Sequence, residues 1–101
     1  MDQRAEDGRI ANAGAVNVTL AAPLADLFPG APRKLQVVAG DVGHMVDALD
    51  ERWPGMRDRI CDSTPAIRKH MNVFVEGRRA RLATPLRPGA DVYVLTAISG
   101  G

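Results

Sequence analysis

Gly40-Asp41-Val42-Gly43-His44-Met45-Val46-Asp47-Ala48-Leu49-Asp50-Glu51-Arg52-Trp53-Pro54-Gly55 is the stretch on which the fold class turns. Val42, Met45, Val46, Leu49 and Trp53 recur at helical spacing, and Asp47, Asp50, Glu51 and Arg52 occupy the other face. Asp41 stands where an N-cap carboxylate can accept from the free backbone N–H groups of the first turn. Pro54-Gly55 stops the helix. Gly43 is unfavourable inside it by ~1 kcal/mol relative to Ala, so tertiary packing must support this turn.

The segments on either side are strands. Val16, Val18 and Leu20 alternate with Asn17 and Thr19, and Leu35-Gln36-Val37-Val38 follows after a connection, residues 21–32, rich in Pro and Gly. If these two strands pair, they form a hairpin with a long loop. Beyond the helix, Met56 to Ile60 reads as one more helical turn and Asp62-Ser63-Thr64-Pro65 as loop. Met71, Val73 and Val75 alternate with Asn72 and Phe74. Glu76-Gly77 is a turn, and Arg78 to Leu82 reads as a short return strand. Pro85 and Pro88-Gly89 break the chain before a last strand, Asp91 to Leu95. One amphipathic helix cannot bury its face alone, nor can one small sheet; packing one across the other solves both problems. The expected class is α+β, with one main helix on a mixed sheet of four to five strands.

Composition bounds the rest. A chain of 101 residues, 46% hydrophobic and 25% charged, holds one domain. Thirteen Lys+Arg against twelve Asp+Glu give a formal charge of +1, which favours neither a nucleic-acid partner nor an acidic tail. One cysteine, Cys61, makes no internal disulfide and no zinc or iron–sulfur cage, and fits the reducing cytoplasm. No apolar run has the length of a membrane span, so no membrane partner is expected. Residues 1–14 hold one large apolar residue, Ile10, and read as a disordered extension. Residues 15–95 are the domain, and residues 96–101 are a flexible tail.

That tail ends on two glycines, a pairing expected by chance at roughly 0.5%. A frayed end is the plain alternative. The whole chain carries a sharper reading. The helix entry Asp41-Val42-Gly43, the stop Trp53-Pro54-Gly55 and the hairpin Asn72-Val73-Phe74-Val75-Glu76-Gly77 resemble the MoaD/ThiS family of ubiquitin-like sulfur carrier proteins. So do the turn Leu86-Arg87-Pro88-Gly89-Ala90-Asp91 and the ending Val92-Tyr93-Val94-Leu95-Thr96-Ala97-Ile98-Ser99-Gly100-Gly101. The resemblance covers residues 15–101 and is most specific in the last third. It implies the β-grasp fold and a protein co-substrate that is not itself an enzyme. An adenylyltransferase of the ubiquitin-activating type, using ATP and Mg²⁺, would adenylate the carboxylate of Gly101. Sulfur would then replace AMP to give a thiocarboxylate, delivered to an acceptor enzyme in cofactor or cysteine biosynthesis. No cofactor or metal is expected on the carrier itself.

The chemistry fits the residues. A C-terminal carboxylate, pKa ~3.5, is ionised at neutral pH and needs no base on this chain. Gly100 and Gly101 lack Cβ and pass through a narrow channel. Six residues beyond Leu95 extend at most ~20 Å. Ser99 and Ile98 are expected to bind the partner with Gly100, Ile98 in a partner pocket. With Val73 and Val75 facing the helix, Phe74, Tyr93 and Leu95 fall on the open face of the sheet. There they either form a docking surface or pack under a loop.

His44 and His70 lack ligands at useful spacing, and Cys61 lacks a partner base. Arg78, Arg79 and Arg81 read as a solvated rim. The N-terminal extension and the segment Asp62 to His70 exceed the shortest members of the family, which leaves the sulfur destination open. Two other functions compete: a ubiquitin-like modifier conjugated through Gly101, and a β-grasp interaction module whose tail is inert.

Overall fold

The computed structural model describes residues 14–96. In chain order these are β1 (Gly14–Leu20), α1 (Ala22–Ala25), β2 (Lys34–Ala39), α2 (Val42–Arg52), α3 (Met56–Ile60), β3 (Met71–Val75), β4 (Arg78–Arg79) and β5 (Asp91–Thr96). The strands form one mixed sheet in the order β2-β1-β5-β3-β4. β1 and β2 pair as the expected long-looped hairpin, Val16 opposite Val37 and Val18 opposite Leu35. β5 lies parallel to β1 and antiparallel to β3, so the last strand occupies the middle of the sheet.

One face of the sheet carries α2. Val42, Met45, Val46 and Leu49 are fully buried against Val16, Val18, Val73, Val92 and Val94, as their spacing required. Trp53 is half-buried at the edge of this core. The entry of α2 is built as read: the Asp41 carboxylate accepts from His44 N–H at 2.7 Å. At the other end Asp50 accepts from the N–H groups of Gly55 and Arg57, both at 3.0 Å, and so fixes the corner between α2 and α3.

The support demanded by Gly43 comes from the chain crossing between β4 and β5. Val42 N–H donates to Thr84 O at 3.0 Å and Gly43 N–H to Leu82 O at 2.8 Å. Two amide donors that no helical turn can satisfy are thereby paired. A Cβ on Gly43 would stand 3.3 Å from that Leu82 oxygen, a tight contact that glycine avoids.

The structure amends four readings. The connection after β1 contains α1, which Pro23 tolerates because a proline in the first turn forfeits no helical bond. The return strand Arg78 to Leu82 stops at Arg79. Ala80 turns into the core, and a tight turn then forms, with Arg81 N–H donating to Thr84 Oγ1 at 2.9 Å. Gly14, read as the end of the extension, opens β1 opposite Ala39. Thr96, read as the start of the tail, closes β5 opposite Met71. Residues 1–13, the rest of the expected extension, lie outside the described residues.

Leu49→Ala removes a fully buried side chain from α2 and leaves a cavity in the core. It is expected to destabilise the fold by ~2–5 kcal/mol, read as a shift of the urea midpoint at unchanged m-value.

Candidate functional site: the open sheet face and the end of the last strand

The strand registers decide which side chains share the uncovered face. Phe74 and Tyr93 are direct cross-strand neighbours on β3 and β5, and Thr19 stands beside Tyr93 on β1. Leu95, two residues beyond Tyr93, lies on the same face, opposite Asn72. The alternate residues Val73, Val92 and Val94 are fully buried beneath α2. Tyr93 is 45% exposed, while Phe74 and Leu95 are half-buried. The three side chains therefore form one apolar strip that runs to within a residue of the end of β5.

Polar residues frame the strip. On one side Gln36 Nε2 donates to Asn17 Oδ1 at 2.9 Å, and Asn17 Nδ2 donates to Asp91 Oδ1 at 3.1 Å. On the other, Arg79 bonds Asn72 Oδ1 beside Phe74. The β3–β4 turn is tied to the base of β5. Glu76 N–H donates to Asp91 O and the Glu76 carboxylate accepts from Asp91 N–H, both at 2.9 Å. Glu76 holds φ at 52°, and Gly77 follows at 84°, the left-handed pair of a tight hairpin turn.

Sequence reading had missed Val38, which is 64% exposed on the β2 edge of this face. Its signal was present: of two adjacent valines on a half-covered strand only one can face the core. Ile98, Ser99, Gly100 and Gly101, the remaining expected site residues, lie outside the described residues. β5 brings the chain to Thr96, five positions before Gly101.

Arg79, set aside earlier as rim, frames this face, while His44 and Cys61 stay apart from it. Among the described residues His44 bonds its own N-cap, Nδ1 lying 3.1 Å from Asp41 Oδ1. Among the described residues no group of three His, Cys, Asp or Glu side chains is arranged to hold a metal ion, and no helix is long and apolar enough to cross a membrane. Cys61 is buried, and burial pushes its thiol pKa up. The Asp62 carboxyl is held below the usual range by its bonds from the Thr64 hydroxyl and N–H. It caps the turn that opens the added segment.

A mixed sheet with a central parallel pair, one helix across it and an uncovered face leading to the last strand defines a ubiquitin-like β-grasp protein. No protein-family model matches the sequence, and no curated protein matches it. Solved structures do. SAMP1, a small archaeal modifier protein of Haloferax volcanii, is similar at 30% identity over 87% of this chain and 100% of its own, with a TM-score of 0.72. CysO, from the Amycolatopsis orientalis BexX/CysO complex, matches at 20% identity over 85% of this chain and 99% of its own, with a TM-score of 0.76. A putative molybdopterin converting factor, subunit 1, of Pyrococcus furiosus matches in fold at 16% identity over 85% and 100%, with a TM-score of 0.67. The chain belongs to the MoaD/ThiS family of ubiquitin-like β-grasp proteins.

A thiol with a raised pKa is a poor nucleophile, because the thiolate is the reacting species. Cys61 is therefore expected to react with iodoacetamide at pH 8 at least ~10-fold more slowly in the native protein than in urea, as followed by intact mass.

Proposed function

We propose that this chain is a sulfur carrier whose reacting group is the C-terminal carboxylate of Gly101. A ubiquitin-activating-type adenylyltransferase, with ATP and Mg²⁺, would join that carboxylate to the α-phosphate and release pyrophosphate. Attack of sulfide on the acyl carbon would then expel AMP and leave a thiocarboxylate for an acceptor enzyme. A persulfide's outer sulfur would instead expel AMP to give an acyl disulfide, whose S–S bond a further thiol would cleave, releasing the thiocarboxylate and forming a disulfide with the persulfide's inner sulfur. The observation that carries this reading is the exit of the central strand. β5 ends at Thr96 with Leu95, Tyr93 and Phe74 on the uncovered face beside it, and five residues ending in Gly100-Gly101 follow. Five residues extend at most ~17 Å. A partner that draws Gly101 into a nucleotide site must therefore seat close against this face, where the apolar strip around the exposed Tyr93 gives it area to bury.

The electrostatics agree. The carboxylate is already ionised at neutral pH, so this chain has only to present it. The described residues offer no reactive thiol, and Cys61 sits inside the core. The CysO structure was solved as a complex with BexX, which supports a partner-dependent role of this kind. A reducing cytoplasm suits the free Cys61 thiol.

A second reading is favoured by the likeness to SAMP1, which is described as a modifier protein. The same activated Gly101 would pass to a lysine amine and form an isopeptide bond. Intact mass of protein from its native cells separates the two outcomes: one sulfur replacing one oxygen marks the carrier, and linked species mark the modifier.

Deleting Gly101 moves the carboxylate about 3.5 Å back from the nucleotide. It is expected to lower AMP release with the activating enzyme by ~100-fold or more while the circular dichroism spectrum stays native, since misplacement of this size abolishes attack geometry. Gly100→Val should act similarly by blocking the channel. A truncated chain activated at the wild-type rate would show that the carrier reading is wrong and leave an inert interaction module.

A further inference from the structure

The same pole of the domain carries a second surface, on the helix side of the sheet. Leu27 and Phe28, just past α1, face Gly55, Asp58 and Arg59 of the α2–α3 corner, with Arg68 closing the groove. Leu27 is 50% exposed, whereas Phe28 packs onto the core behind it. The groove lies where β5 ends. Thr96 pairs with Met71, and Met71 N–H donates to Arg68 O at 2.9 Å, so the groove wall and the last described residue share a short run of backbone.

The charge of this pole is net positive. Arg33, Arg59, Arg68 and Lys69 are exposed here against the exposed Asp26 and Asp58 and the half-buried Asp62, which feels the charge of Arg68. Arg33 Nε donates to Leu20 O at 2.8 Å and Arg68 Nε to Asp58 O at 2.7 Å, both to backbone carbonyls. Among the described residues neither Arg59 nor Arg68 makes an ion pair; those that form there sit at Asp41, Asp47 and Glu76. Hence the pole holds a net positive charge around one exposed leucine, on a chain of formal charge +1.

We propose that this groove docks an acidic segment, carrying an aliphatic side chain, on the surface of the enzyme that adenylates Gly101. The proposal rests on the carrier reading above. A tail of ~17 Å brings the pole flush against whatever receives it, so a surface this close to the exit must be covered by that enzyme. A carboxylate pair would meet Arg59 and Arg68, and an apolar side chain would cover Leu27 against Phe28. A phosphate backbone would satisfy the arginines but leave Leu27 wet. The arginines steer the encounter and the leucine is the anchor. Neither touches the reacting carboxylate, so both act on binding and not on chemistry.

The test uses the full-length chain and the activating enzyme that releases AMP with it, titrated with carrier at several salt concentrations. Arg59→Glu and Leu27→Ser are each expected to raise KM by about tenfold or more with kcat within about twofold of wild type. Wild-type KM should rise with salt, and this dependence should flatten in Arg59→Glu. Arg59→Lys should keep most of the wild-type KM. Arg68→Gln is a supporting variant only, because its Nε also holds the α3 backbone; urea midpoints of all variants check the fold. Wild-type KM in both Arg59→Glu and Leu27→Ser overturns the proposal. So does self-association of the chain alone that depends on Leu27 and Arg59, which would assign the groove to a second copy. Loss of activity on deleting Gly101 alongside normal KM in the groove variants overturns the groove alone. Full activity without Gly101 overturns the carrier reading, and the groove's assignment with it.

Discussion

The parallel pairing of β1 with β5 is the contact on which the rest of this structure depends. Asn17 N–H reaches Ala90 O at 2.9 Å and Ala21 N–H reaches Val94 O at 2.8 Å, joining the first and last strands of the domain. Parallel neighbours cannot be joined by a tight turn. Everything from α1 to the approach of β5 is therefore one long crossover, and α2 is its covering helix. The pairing also places β5 between β1 and β3. Its inward residues Val92 and Val94 are consequently sealed from both sides and from above.

Because β5 is central, the chain leaving β4 at one edge must travel back over the start of α2 to reach it. That passage explains details that look unrelated along the sequence. The carbonyls of Leu82 and Thr84 meet the free N–H groups of Gly43 and Val42, Leu86 N–H bonds Gly40 O at 2.9 Å, and Asp41 bridges to Pro85. An isolated helix beginning Val42-Gly43 would be weak there. In the fold, the loop packs closely over the glycine, and its carbonyls pair the helix's free N–H groups.

The parallel pair also sets what lies at the pole of the domain. β1 and β5 end together, beside the start of β3 and the turn into α1, so Thr96 emerges among residues from four separate parts of the chain. On the open side stand Leu95, Tyr93 and Phe74; on the helix side stand Leu27, Arg59 and Arg68. In the proposed function both sides face the enzyme that receives Gly101. The aromatic strip offers buried area, and the basic groove offers charge complementarity.

The helix, its Asp41 cap, its Pro54-Gly55 stop and the inward valines of β1, β3 and β5 were all legible in the sequence. Each rests on a period of side chains or on a local bond that spans only a few residues. The open-face placement of Phe74, Tyr93 and Leu95 followed from the same alternation. Other features had no local sign. The end of β4 at Arg79 depends on Ala80 finding the core, and the strand status of Gly14 and Thr96 depends on partners at Ala39 and Met71. The grouping of Leu27 with Arg59 and Arg68 joins positions more than 30 residues apart in the chain. By itself the sequence determined which faces are apolar and where helices and turns begin, because those are short-range energies. Only the tertiary structure decided which strand is central and which charges meet at the end of β5, because strand order and pole composition arise from pairings between distant segments.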